Sequence, residues 1–201
     1  LLDEEGYFHR RSANVARHAD PGAVQIDLEA QISRARAAGM VPSHADTHMG
    51  AVAHPKFMMG YIQLAMTHQL PLMVFRMDEA GWRAAGLDGE TATLAVKMVA
   101  ELEDMGVPLL DHIGGMPLDN PTNRLERAEK AFADLQPGIT HFIIHPSKPT
   151  SELEAITPDW RCRVADYQTF LSEDLSNTIV ELGVQVIGYR ALQALMPSTS
   201  V

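Results

Sequence analysis

The 201-residue chain carries 16 Lys+Arg against 26 Asp+Glu, a formal net charge of −10, and 46% of it is apolar. This is globular rather than disordered composition. The acidic balance argues against duplex DNA or an anionic membrane as partner, because neutralising phosphates requires surplus Lys and Arg, and no run approaches the ~18 apolar residues of a membrane span.

A single cysteine, Cys162, excludes an internal disulfide and a Cys-rich zinc site and points to a reducing, cytoplasmic compartment. The opening residues Leu1 to Gly6 lack the basic start and apolar run of a signal peptide. With no initiating Met, the sequence is expected to lack an upstream part of its gene product.

In chain order, Ala23 to Ala38 sets Val24, Leu28, Ile32 and Ala35 at helical spacing, with Arg34 and Arg36 late and Gly39 as the stop. Val41 to Asp46 reads as a strand. Pro55 to His68 is a helix with Pro in its first turn and Phe57, Tyr61, Leu64 and Ala65 on one face. Leu72 to Arg76 is the second strand, and Glu90 to Met105 a helix closed by Gly106 and Pro108. Leu109 to His112 is the third strand, Asn120-Pro121 to Leu135 a helix, and Thr140 to His145 the fourth strand. A helix over Asp159 to Leu182, broken near Ser172, precedes a fifth strand, Val184 to Tyr189, and a short closing helix.

Strand and helix alternating at roughly 30-residue spacing is the pattern of right-handed βαβ units around a parallel sheet. With no repeat, low-complexity tract or Ser/Gly linker, residues 1–201 read as one α/β domain. Five parallel strands suit either an open doubly wound sheet or part of a β/α barrel. The Gly-rich phosphate-binding turn of a dinucleotide fold is missing.

The titratable residues gather at predicted strand ends: His44 and His48 at the first, Arg76 at the second, Asp111 and His112 at the third, His145 at the fourth. In parallel β/α folds the carboxyl ends of the strands form the functional face. Within Ser43 to His48, a period of two puts His44, Asp46 and His48 on one face. Extended backbone separates the two histidines by about 13 Å at ~3.3 Å per residue, so both can ligate one ion only if the segment bends. The small residues of Met49-Gly50-Ala51 allow that bend. Otherwise His48 is the ligand, and His44 or Asp46 orients an imidazole or positions substrate. Two unrelated polar loop residues explain the spacing about equally well.

His145-Pro146 follows the apolar Phe142-Ile143-Ile144. An unperturbed imidazole, with a pKa near ~6.5, suits proton transfer at neutral pH; a histidine bonded to a neighbouring carbonyl carries equal weight. Asp111-His112 reads as loop hydrogen bonding, and Arg76 as a salt bridge to Asp78 or Glu79. Asp159-Trp160-Arg161, followed by Asp166, offers a stacking aromatic suited to a sugar face, or a helix start with a core Trp. His9, His18, His54, His68 and His141 read as surface or packing residues, Met58, Met59, Met66 and Met73 as adaptable core, and Cys162 as a poor nucleophile with no His–acid relay beside it.

Pro42-Ser43-His44-Ala45-Asp46-Thr47-His48 resembles the P-T-H-x-D-x-H segment of the YdjC-like carbohydrate deacetylases, the family of the chitooligosaccharide deacetylases. Leu2 to Phe8 is similar to that family's L-x-D-x-x-G-x-F stretch, Glu29-Ala30-Gln31-Ile32 to its E-x-x-A-Q-I helix, and Phe142 to Pro146 to its apolar strand ending in His-Pro. Arg163 to Asp166 and Val184 to Tyr189 are similar to its R-x-x-[DE] and final strand.

The resemblance implies a distorted parallel, TIM-like β/α barrel that holds one divalent ion and hydrolyses the acetamide of an N-acetylated amino sugar or short oligosaccharide. It makes His48 a metal ligand, with His44 a second ligand or close neighbour. Asp46 supports them or meets substrate, and His145 is the group that protonates the leaving amine. The family's first strands, with an acidic pair and a further His, would precede Leu1. Met49-Gly50-Ala51 stands where many members continue with more histidines, a departure that bears on sugar specificity more than on the metal.

Imidazole with carboxylate suits Zn, Mn, Fe or Co, and Mg with several waters retained; Mg and Zn lead. The expected partner is a small carbohydrate, with neither nucleic acid nor membrane, and a homo-oligomer is compatible. Two other functions compete: a non-catalytic carbohydrate- or metal-binding relative that lacks the acidic pair, and a metal-dependent phosphoesterase, which would call for more rim cations than Arg76. The deacetylase reading requires the imidazoles of His48 and His145 to open onto a common cavity.

Overall fold

The computed structural model describes residues 1–198. Its elements run α1 (Ser12–His18), α2 (Pro21–Ala37), a short 3-10 turn (His48–Gly50), α3 (Pro55–His68), α4 (Glu79–Ala84), α5 (Gly89–Asp104), β1 (His112–Gly115), α6 (Arg124–Ala133), β2 (Thr140–Ile143), α7 (Ser151–Ile156), α8 (Trp160–Phe170), α9 (Glu173–Glu181) and α10 (Tyr189–Gln193). They form two compact units, one of Leu1–Leu109 with the residues from Gly188 onward, the other of Leu110–Ile187. No helix among the described residues is long and apolar enough to cross a membrane.

Several of the helices start where the sequence supplies side-chain caps. Asp20, Asp78, Asp88, Thr150 and Ser172 each accept a hydrogen bond from a first-turn backbone N–H, satisfying donors the helix cannot pair internally. Proline occupies the first turn of α2 and α3, and α3 ends on Gln69 in the left-handed conformation (φ 55°). The expected break at Ser172 is the cap that separates α8 from α9.

In the first unit the core is built on α3 and α5: Tyr61, Ile62 and Ala65 pack with Val99 and Leu102, and Leu72, Val74, Val107, Leu109 and Met196 complete the cluster. In the second, Met116, Ala128, Phe132 and Leu175 are buried together, with the Phe132 and Phe142 rings stacked at 4.7 Å. Such offset stacks add to the simple burial of apolar area.

The sheet is parallel, as expected, but among the described residues it has only two strands. β1 pairs with β2 in register from His112↔Thr140 to Gly115↔Ile143. Gly115 is required there, because a Cβ would fall 2.6 Å from the Ile143 carbonyl oxygen. The third expected strand forms three residues later than Leu109, and the fourth forms over Thr140–Ile143.

The other three expected strands are corrected. Val41 to Asp46 and Leu72 to Arg76 meet only in one parallel bridge, Ala45↔Leu72, in which the Ala45 N–H donates to the Pro71 carbonyl at 2.9 Å. Val184 to Tyr189 runs as irregular chain into α10, with Val186 75% exposed. A strand exists only where a neighbour offers a matching row of N–H and C=O groups, which an apolar β-branched run cannot supply for itself. Three helices, α1, α4 and α7, were not anticipated; each has seven residues or fewer, too short to display a period.

Tyr61, 1% exposed, stands in for the missing ladder: its hydroxyl donates to the Ala45 carbonyl and accepts the Met73 N–H at 3.3 Å. Burial raises its pKa above the ordinary tyrosine range. Tyr61→Phe is expected to cost about 1–3 kcal/mol, since it strands two buried backbone groups. Because the folded pKa is raised, the stability linked to the protonated hydroxyl is whole below about pH 10 and is lost as pH climbs beyond it. Urea titrations at pH 8 and above pH 10 should therefore show a steeper alkaline loss in wild type than in Tyr61→Phe.

Candidate functional site

In the first unit the chain from Val41 leads through His44 and Asp46 to a sharp bend. Thr47 is 5% exposed, and its hydroxyl accepts the Val52 N–H at 3.1 Å. The Thr47 carbonyl accepts the Gly50 N–H at 3.1 Å. The Asp46 carboxylate accepts the Thr47 N–H at 2.6 Å. Met49 (φ 55°) and Gly50 (φ 66°) both take the left-handed conformation. The bend required for His48 to leave the line of the strand is thus present, and it presents the His48 side chain to solvent.

His44 is half-buried. Its ring lies face to face on Tyr189, with centroids 4.1 Å apart and planes 8° from parallel, and its Nδ1 is 3.1 Å from the Ser43 hydroxyl. When Nδ1 carries the proton and donates to Ser43, the lone pair of the ring lies on Nε2. Tyr189 opens α10, which ties down the same segment by its backbone. Arg190 donates to the Val41 carbonyl at 3.3 Å, and the Gln193 amide donates to the Pro42 and Gln69 carbonyls at 3.3 and 3.2 Å. Burial, reinforced by the Asp46 carboxylate, pushes the Tyr189 hydroxyl up to about 12.

In the second unit His145 follows β2 by two residues. Its backbone N–H donates to Asp166 Oδ2 at 3.1 Å, while its Nδ1 is buried with no hydrogen-bond partner among the described residues. Asp166 is fully buried, and its other oxygen accepts from Arg124 Nε at 2.6 Å. Arg124, 4% exposed, also donates to the Pro117 and Asn120 carbonyls at 2.8 and 3.2 Å.

The remaining polar residues are engaged structurally. Asp111 accepts the Ile139 N–H at 2.7 Å, and His112 Nε2 lies 3.1 Å from the Pro137 carbonyl, which is the expected loop bonding. Arg76 pairs with Glu103 of α5 at 2.7 Å and donates to the Leu109 carbonyl at 3.3 Å. Trp160 carries the Arg161 guanidinium 4.4 Å over its ring. Cys162 is buried. His68 bonds Glu29 at 2.7 Å and Arg36 at 2.8 Å.

The described residues include no group of three or more His, Cys, Asp and Glu arranged to hold a metal. An exposed imidazole at a tight turn fits the part of one ligand, so His48 suits that role; a complete ligand set is not assembled by these residues.

Sequence reasoning missed Arg124, Tyr189 and Gln193. Arg124 did leave a signal: a cation in the first turn of a helix opposes the helix dipole, and such a local conflict marks a residue with a tertiary partner. Tyr189 and Gln193 lie some 145 residues from the segment they hold, and nothing local marks them.

A model of the YdjC-like protein family matches residues 1–181. The chain is 30% identical over 181 residues to a carbohydrate deacetylase of Thermus thermophilus, covering 90% of this chain and 64% of that protein. It is 24% identical over 193 residues to a carbohydrate deacetylase of Thermoanaerobacter pseudethanolicus, covering 96% and 69%. The chain therefore spans a little under two thirds of the length of the Thermus relative. Among solved structures, a candidate cellobiose-phosphate cleavage protein of Enterococcus faecalis V583 has the same fold, with a TM-score of 0.69 at 19% identity over 95% of this chain and 68% of that one.

Removing the Asp166 carboxylate alone leaves Arg124 as an uncompensated buried charge. Asp166→Leu should lose about 3–5 kcal/mol of folding stability, read from the midpoint of a chemical denaturation curve.

Proposed function

Since the chain belongs to the YdjC-like protein family, we propose that it carries residues of a metal-dependent site that removes the acetyl group from an N-acetylated amino sugar or short oligosaccharide. The observation that carries this reading is the match to carbohydrate deacetylases along most of the chain, joined to the exposed His48 on its left-handed turn. The accompanying fold reading is a distorted parallel β/α barrel. The parallel pairing of β1 with β2 and the parallel Ala45↔Leu72 bridge support it.

Amide hydrolysis at neutral pH needs an activated water and a proton for the departing amine. A divalent ion bound there, magnesium or zinc, would supply the first by making its water more acidic and polarising the acetyl carbonyl. From the first unit, His48 would be a ligand to that ion and His44 a second ligand or its close neighbour, oriented by Tyr189 and Ser43. Asp46, already bonded to the Thr47 N–H, would hold the bend and meet substrate or an imidazole. From the second unit, His145 would donate the proton to the leaving nitrogen, a role an imidazole can fill.

The experiment is acetate release from N-acetylated amino sugars by metal-stripped protein, before and after addition of Mg or Zn. Release is expected only with metal. His48→Ala should abolish it together with metal uptake. His44→Ala should reduce metal affinity by about 10- to 100-fold, as loss of an orienting partner does. His145→Ala should retain metal and lose at least about 100-fold in rate. Metal uptake without acetate release from any N-acetyl sugar would replace this reading with a non-catalytic metal- or carbohydrate-binding role.

A further inference from the structure

The segment that carries His145 poses a problem in backbone chemistry. The β1–β2 ladder ends at Gly115↔Ile143, with Met116 N–H donating to the Ile143 carbonyl at 2.9 Å as the last rung. Beyond it the His145 N–H has no strand to pair with, and Pro146 has no N–H to give. Helix α8 supplies both missing partners, on either side of that proline. Asp166 Oδ2 accepts the His145 N–H at 3.1 Å, and the Arg163 carbonyl, one helical turn earlier, accepts the Ser147 N–H at 3.1 Å.

The Asp166 carboxylate has no freedom to wander, since its other oxygen is held by Arg124 at 2.6 Å, both residues are nearly or fully buried, and Arg124 is itself fixed on two backbone carbonyls. A pair so thoroughly desolvated adds little net stability compared with apolar residues of similar volume. Its distinctive effect is geometric. It spends its free acceptor on a backbone amide rather than on the imidazole, and Nδ1 of that imidazole is left buried and unpartnered among the described residues.

We propose that Arg124 and Asp166 are positioning residues for His145. The carboxylate holds the His145 backbone so that the ring is aimed without being hydrogen-bonded by the pair that aims it. This rests on the reading of His145 as the proton donor.

The test is the double variant Arg124→Met/Asp166→Leu, which removes both buried charges at similar volume but strands the His145 N–H and the Pro117 and Asn120 carbonyls. It is therefore expected to stay folded while melting about 3–10 °C below wild type. Exchange of the His145 amide with solvent, followed by NMR, should accelerate at least tenfold, and the His145 ring signal should broaden. The kcat for acetate release should fall by about 10- to 100-fold with KM changed less than about threefold, as for a misplaced catalytic group. Unchanged kcat alongside a released amide overturns the proposal, and so does an amide that stays protected. If the double variant fails to fold, Asp166→Asn is read in its place, with the same split of kcat from KM expected and an unaltered kcat overturning the idea. If wild type releases no acetate, the deacetylase reading fails, while amide exchange and ring broadening still decide whether this pair positions His145.

Discussion

A backbone N–H or C=O withdrawn from water must find a partner, and in this protein the parallel pairings are too short to provide them all. The β1–β2 ladder covers four residues of each strand, and Ala45↔Leu72 is a single bridge. Side chains take up the remainder. Tyr61 serves Ala45 and Met73, Gln193 serves Pro42 and Gln69, Asp111 serves Ile139, and Asp166 serves His145. A buried group left without a partner costs more than an average hydrogen bond contributes, so each of these side chains is committed to the backbone before any chemistry is considered.

His48 and His145 are set by this constraint in different ways. His48 sits past the end of the bridged segment on a turn that requires left-handed backbone at Met49 and Gly50, and its ring is exposed, as suits a ligand that must shed little to bind. His145 sits past the end of a true strand, with its amide anchored and one ring nitrogen buried. A group that must exchange a proton with substrate gains from a fixed origin and from having no competing acceptor. Exposure in one case and anchorage in the other follow from what lies just beyond each pairing.

Much of the architecture was legible along the chain. The 3.6-residue period of α2 and α3, Pro in the first turn of α3 and the stops at Gly39 and Gly106 are local features, and the helices they predict form at nearly the expected bounds. The apolar Phe142-Ile143-Ile144 run marked where a strand could form, and it formed over Thr140–Ile143 because β1 pairs with it. The histidine segment was legible because its residue types and spacing are contiguous, and the predicted bend occurs where Met49, Gly50 and Ala51 follow.

What the amino-acid sequence determined by itself was therefore the longer helices, the apolar runs and the family, and it singled out His44, Asp46, His48 and His145 as candidates. Tertiary structure alone decided which apolar runs became strands, since pairing depends on a neighbour that may lie dozens of residues away. It also decided that Val184 to Gly188 stays irregular and that Arg76 reaches Glu103. The same distance dependence hid Arg124, Tyr189 and Gln193: each acts on backbone or side chains far along the chain, and a hydrogen bond between distant residues leaves no period, spacing or composition by which to read it.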